Sequence, residues 1–204
     1  MGPWRSSLAV VVVSGLLAVV AVARGGNGFA SARGEDGYPA DITPPAGTQY
    51  PCALKALPRE LPGIPEADHA YINRTYAVIL RATQAKLVIL KALEDGRDLR
   101  LALARYQDAV RPLSLRLSEP PPAGLAAFQE DVLQALALQQ AFFVEAVARR
   151  EGGGSMSDVY AVPQGRQASA KLISAWGRMQ ARYPSWAAET KDSIYHHLCA
   201  LDLF

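Results

Sequence analysis

Apolar residues recur at steps of three and four along most of the chain after Pro65, and this periodicity restricts the fold more than any other feature. The first segment places a set of residues on one seam: His69, Ile72, Tyr76, Ile79, Thr83, Leu87 and Leu90. This spacing keeps side chains on one face of a helix with 3.6 residues per turn. No alternation of apolar and polar residues exceeds four residues, as a half-buried strand would require. The sequence therefore predicts an all-α fold.

Glycine and proline divide this region into four helices and a last segment. We predict helices over residues 65–95, 98–119, 123–150 and 164–182, with a kink at Pro112. The run Gly152-Gly153-Gly154-Ser155 indicates a flexible break that continues to Pro163. Residues 185–204 form either a fifth helix or a bent continuation of the fourth. Short links favour an up-and-down bundle of four to five helices as one domain, residues 65–204.

Residues 33–64 are rich in proline and glycine, and the prolines are spaced too closely for a helix or a central strand. We predict an extended N-terminal arm here. Its second half, residues 50–64, carries four aliphatic side chains that could lie in a groove of the helical domain: Leu54, Leu57, Leu61 and Ile64.

Residues 1–32 have the layout of a secretory signal, because Arg5 precedes an apolar run over residues 8–23 and small residues at Ala30 and Ala32 offer a cleavage site. The alternative is an uncleaved anchor in the inner membrane formed by residues 8–23, although this run is shorter than the roughly 20 residues that span a bilayer. We therefore expect a periplasmic or secreted protein that meets the membrane only through its N-terminal segment.

Cys52 and Cys199 are the only cysteines, and they lie far apart in the sequence. In an oxidising compartment two cysteines most simply form one disulfide. Neither cysteine belongs to a CxxC or CxxCH motif, so the sequence does not indicate redox catalysis or covalent haem attachment. We predict a Cys52–Cys199 bridge that closes the helical domain.

The charge distribution argues against a nucleic-acid partner. Of 21 basic residues, Arg5, Arg24 and Arg33 precede the first acidic residue, Glu35, which leaves 18 basic residues against 19 acidic ones from Gly34 onward. Proteins that bind nucleic acids need a basic surface to displace counterions from phosphates.

His69 and His197 both fall on predicted core-facing positions. In a four-helix bundle the start of the first helix and the end of the last lie at the same end, so the two imidazoles could approach each other. Two histidines from facing helices can ligate a haem iron or, with a carboxylate, a transition metal. The more ordinary interpretation is that one histidine is a hydrogen-bonded, half-buried residue at a helix end and the other is solvated.

Ser193 lies four residues before His197, a spacing that invites comparison with a hydrolase. A serine within a helix lacks the backbone donors that an oxyanion requires, so we expect an ordinary surface serine. No catalytic set or cofactor signature is present. We therefore expect a non-enzymatic exported binding module with an unidentified protein partner in the envelope or exterior. A haem- or metal-binding bundle for electron transfer or sensing, with His69 and His197 as ligands, is the alternative.

Overall fold

The computed structural model describes residues 38, 39, 41–116 and 120–204. Over these residues it contains six α-helices and no strand: α1 Glu66–Asp95, α2 Leu99–Arg116, α3 Ala126–Glu151, α4 Met156–Tyr160, α5 Pro163–Arg182 and α6 Ala188–Leu201. The all-α prediction is confirmed. The predicted leader, residues 1–32, and the end of the second helix at residues 117–119 lie outside the described residues. Among the described helices, none is both long and apolar enough to cross a membrane.

Helix α1 begins directly after Pro65, whose ring fixes φ near the value that a helix start needs. It ends where Gly96 adopts a left-handed conformation, with φ of 65°, and donates its N–H to the carbonyl of Ala92. The predicted seam is buried at five positions: Ile72, Tyr76, Ile79, Thr83 and Leu87. Burial of this seam against the other helices is what stabilises so long a helix in water.

Helix α2 begins within one residue of its predicted start, whereas helix α3 begins later than predicted. Helix α2 starts after Asp98, whose carbonyl accepts the first helical hydrogen bond from Ala102 at 2.8 Å, and the helix continues through position 112. Helix α3 begins at Ala126, three residues later than expected, because Gly124 has φ of 87° and forms part of a turn. A left-handed residue cannot continue a right-handed helix.

The segment that we predicted to be a flexible break contains the short helix α4, so that prediction is wrong in this part. Ser155 caps α4: its side chain accepts from the N–H of Asp158, and the Asp158 carboxylate accepts from the N–H of Ser155. This reciprocal capping box satisfies two backbone donors that would otherwise lack partners. Val159 anchors the helix in the core with no exposed surface.

The C-terminal segment forms a separate helix, α6, rather than a continuation of α5. Ser169 on α5 bonds to Asp202, beyond the end of α6, and Trp176 meets Tyr195 with ring centroids 5.2 Å apart. Residues later in α5 thus contact residues earlier in α6, so the two helices run antiparallel.

Helix α6 runs in the same direction as α1. Asp68, near the start of α1, accepts a hydrogen bond from Tyr183 just before α6, whereas Lys86, further along α1, bonds to Ala200 at the end of α6. Further close packing joins α3 to α5, α1 to α2, α2 to α3 and α3 to α4. Aliphatic and aromatic side chains from these helices form the core.

Residues 41–64 contain no helix, and three of their apolar side chains are buried: Leu57, Leu61 and Ile64. Gly63 has φ of 87° and lies against the backbone of Trp186, so that a Cβ here would come within 2.7 Å of the Ser185 carbonyl oxygen. The Ala187 N–H donates to the carbonyl of Pro62 at 2.9 Å. These contacts hold the end of segment 41–64 at the start of α6.

Candidate functional site

The backbone carbonyls at the C-terminal end of α6 accept hydrogen bonds from two buried side chains of other helices. The Lys86 ammonium on α1 donates to the carbonyls of Ala200, at 2.6 Å, and Asp202, at 2.5 Å. The Gln139 amide on α3 donates to the carbonyl of Leu201 at 2.7 Å. The last carbonyls of a helix have no partner within it, and a cation suits the negative end of its dipole. Lys86 and Gln139 therefore fix the end of α6 in the interior.

Burial makes the Lys86 ammonium easier to deprotonate. Only 1% of its surface is exposed, and this desolvation lowers the pKa of its amine to about 8, against a smaller opposing effect of the Asp202 carboxylate. The amine is enclosed by carbonyls and cannot reach a ligand from solvent, so its role is structural.

Segment 41–64 follows α6 in the antiparallel sense. Cys52 is bonded to Cys199 near the end of the helix, which confirms the predicted bridge, and their Cα atoms are 6.3 Å apart. Ser193, six residues earlier on α6, donates from its hydroxyl to the carbonyl of Ala56 at 3.2 Å. Ser193 is buried, so the expectation of a surface serine is wrong: its hydroxyl is needed by a backbone carbonyl of the covering segment.

His197 is buried and uses both ring nitrogens. Because a carbonyl can only accept, Nδ1 carries the proton and donates to the carbonyl of Ser193 at 2.7 Å, which leaves Nε2 to accept from the Tyr38 hydroxyl at 2.6 Å. The Tyr76 ring packs edge-on against the imidazole. Desolvation lowers the pKa of His197 to about 4. The imidazole is therefore neutral near pH 7.

His69 has a different partner: its Nε2 bonds to the carbonyl of Ile64 at 2.8 Å. The argument that placed His69 and His197 at one end assumed four helices, whereas α6 is a further helix and runs parallel to α1. His197 consequently meets α1 at Tyr76, two turns, or about 10 Å, beyond His69. The haem or metal alternative stays a prediction without this geometric support.

In residues 38, 39, 41–116 and 120–204, no group of three or more His, Cys, Asp or Glu side chains is arranged to hold a metal ion. Ligation by Nε2 of His197 would first require loss of the Tyr38 hydrogen bond.

A groove of about 360 Å³ lies beside the link between α1 and α2. Lys91 and Arg97 enter it, and both pair with the carboxylate of Asp95, at 3.2 and 3.7 Å. Asp98 and Arg105 add one charge of each sign. The groove therefore presents no marked preference for an anion or a cation.

The outward face of α5 is unusual for a surface helix because it has few charges. Ile173 is 68% exposed, Gly177 one turn later has no atom within 4 Å of where its Cβ would lie, and Trp176 is half-buried beside them. The other residues on this face are Arg166, Gln167, Ala170, Ser174, Gln180 and Ala181. Exposed helix positions are ordinarily polar or charged. We call this set of residues the α5 outer face.

An aromatic cluster between α5 and α6 supports one edge of the α5 outer face. The Trp176 ring stacks on Trp186 at 5.5 Å and meets Tyr195 at 5.2 Å, and Trp186 packs further in against Tyr183. Tyr195 remains 45% exposed. Rigid, half-exposed aromatic side chains are enriched at the centres of protein interfaces.

The opposite edge of α5 is cationic. Lys171 and Arg178 share the carboxylate of Asp131, at 3.8 and 3.7 Å, and Arg182 lies 3.5 Å from the Asp68 carboxylate. The Asp131 carboxylate also accepts a 2.7 Å hydrogen bond from the Ser174 hydroxyl.

Known proteins add nothing to this geometry. Comparison of the chain with protein-family models, curated proteins and solved structures finds no match.

Sequence reasoning missed Lys86, Tyr38 and the α5 outer face. Lys86 gave a signal, since it interrupts an apolar stripe at Ala82, Ile89 and Leu93 on α1. Tyr38 gave none, because its partner lies 159 residues away. For the α5 outer face, the sequence signal was the absence of acidic residues between Pro163 and Arg182.

Proposed function

We propose that this chain is an exported, non-enzymatic binding module, which recognises a partner protein in the periplasm or outside the cell through the α5 outer face. In this proposal the helices form an up-and-down bundle, and the proline-rich segment is an arm that the disulfide ties to α6. A disulfide is compatible with an oxidising compartment.

Exposure of Ile173 beside the open position at Gly177 is the observation that carries the proposal. Glycine within a helix costs roughly 0.5–1 kcal/mol relative to alanine. No atom in the described part of the chain requires this position to lack a side chain. A partner surface that approaches the α5 backbone would require it.

The test is photocrosslinking in the native cell envelope, with a photoreactive amino acid at position 173 and, as a control, at Asp108 on the exposed side of α2. We expect a heterologous adduct from position 173 and none from position 108. Gly177→Arg should abolish the adduct without loss of stability, because the added side chain enters open space.

Adducts that persist with Gly177→Arg would show that the α5 outer face is not the binding surface. An adduct between two copies of this chain would show self-association instead and would overturn the proposal. Thermal unfolding of the Gly177→Arg protein checks that the variant remains folded.

A further inference from the structure

We infer that the partner presents to α5 an amphipathic helix whose apolar stripe is flanked by acidic residues. This inference rests on the proposed function and specifies the chemistry of its partner. Its basis is the charge of α5, the shape of the α5 outer face and the small apolar area that this face offers.

Helix α5 contains four basic residues and no acidic residue: Arg166, Lys171, Arg178 and Arg182. Lys171 and Arg178 both pair with a single carboxylate, that of Asp131, at distances near the upper limit for an ion pair. Their side chains are 40% and 57% exposed. The Asp131 side chain is only 10% exposed, but both cations face solvent, and an ammonium or a guanidinium has more than one N–H donor, so both can bind a second carboxylate.

A second copy of this chain fits the α5 outer face poorly. A two-fold axis would place α5 against its own copy, so that two helices whose charged side chains are all basic would meet. Like charges across an interface are unfavourable and select against a wrong partner. The same field attracts a partner with acidic residues.

An anionic membrane surface is also less suitable. A helix that lies in a membrane interface needs a broad apolar face that enters the acyl region. On α5 the apolar contribution is Ile173 with the edge of Trp176, beside the polar side chains of Gln167 and Gln180. This area suits a few anchor residues from a protein.

The shape of the face favours a helix over an extended segment. Ala170, Gly177 and Ala181 lie at steps of seven and four, on the side of α5 that faces outward, and span about 16 Å. Small side chains let a second helix axis approach to the low end of the usual 8–10 Å separation. Ile173 then lies between side chains of the partner helix.

The inference is tested with two synthetic 18-residue amphipathic helices of equal apolar content, one with glutamate and one with lysine at the flanking positions. Binding to the mature protein is measured by isothermal titration calorimetry at low and at moderate salt. We expect the glutamate peptide to bind at least tenfold more tightly than the lysine peptide, with a difference that narrows as salt is raised.

Variants then locate the site. Lys171→Gln with Arg178→Gln should weaken binding of the glutamate peptide, Gly177→Arg should abolish it, and Arg111→Gln on α2 should leave it unchanged. Circular dichroism melting identifies any variant that fails to fold, and a Lys171→Gln single variant then replaces the double one.

Equal affinity for the two peptides, or no binding of either, overturns the acidic-helix partner. Binding to phosphatidylglycerol vesicles that Gly177→Arg abolishes would assign the face to a membrane and overturn it too. If the peptides fail while the photocrosslink from position 173 persists, the proposed function stands and only the partner class falls.

Discussion

The Tyr38 hydroxyl donates a hydrogen bond of 2.6 Å to Nε2 of His197, and so joins the proline-rich region to the last turn but one of α6. Since Nδ1 is committed to the carbonyl of Ser193, this bond exists only while the imidazole is neutral. Burial raises the pKa of the Tyr38 hydroxyl, which keeps it protonated as a donor. The contact is therefore sensitive to acid.

Acidification should destabilise the protein through His197. Its pKa is about 4 in the folded state against an ordinary value near 6.5, so the unfolded chain binds more protons between these values. Stability should therefore fall as the pH drops from about 6.5 to about 4, by up to about 3 kcal/mol from this group. Urea unfolding at several pH values measures the slope. His197→Gln should flatten it, and an unchanged slope would show that other groups cause the acid sensitivity.

Loss of the disulfide should release segment 41–64 first. The bridge closes a sequence separation of 147 residues, for which the chain-entropy estimate is about 5 kcal/mol as an upper figure. We expect Cys52→Ser to lower the melting temperature and to make this segment protease-sensitive, while α1, α2 and α3 stay largely formed. Limited proteolysis with mass mapping locates the cuts. The Cys52→Ser, Cys199→Ser double variant is the control for effects of a free thiol; primary cleavage inside α1 would contradict the prediction.

Lys86 predicts that the free energy of unfolding also rises with pH in the alkaline range. Lys86→Met leaves the carbonyls of Ala200 and Asp202 without their donor, which should cost about 2–4 kcal/mol at pH 7. The pKa of Lys86 is about 8 when folded and near 10.4 when unfolded, so the wild-type protein gains stability as the pH rises between these values. The difference between wild type and Lys86→Met should therefore widen from pH 8 to pH 10. A constant difference over that range would mean that Lys86 titrates normally.

The sequence predicted the structural features that depend on local residue patterns. The burial of Ile72 and Tyr76 follows from helical periodicity. The direction of α6 could not be predicted, because whether Tyr183-Pro184 bends one helix or separates two depends on contacts with distant residues. The wrong prediction that His69 and His197 lie at one end of the bundle follows from the assumption of four helices.

Local sequence signals also gave a wrong prediction where two of them competed. Glycines 152–154 indicate flexibility, yet Ser155 and Asp158 three residues later form a capping box that starts α4. The α5 outer face was not recognised because the pattern of buried residues says nothing about what covers the exposed ones.

Gly63 should be far less tolerant of a side chain than Gly153, although both have nearly the same left-handed backbone, with φ of 87° and 86°. A Cβ at Gly63 would overlap the backbone of Trp186 and approach the Ser185 carbonyl oxygen to 2.7 Å, whereas a Cβ at Gly153 would meet no atom within 4 Å. Gly153→Ala carries only the cost of a non-glycine residue in this conformation, about 1–2 kcal/mol. Gly63→Ala adds the displacement of segment 41–64 from the start of α6, including the Pro62–Ala187 hydrogen bond, so we expect a loss of at least about 3 kcal/mol. Chemical denaturation of the two variants measures the difference with backbone strain held constant. Equal losses would show that segment 41–64 does not lie against the loop before α6 as described.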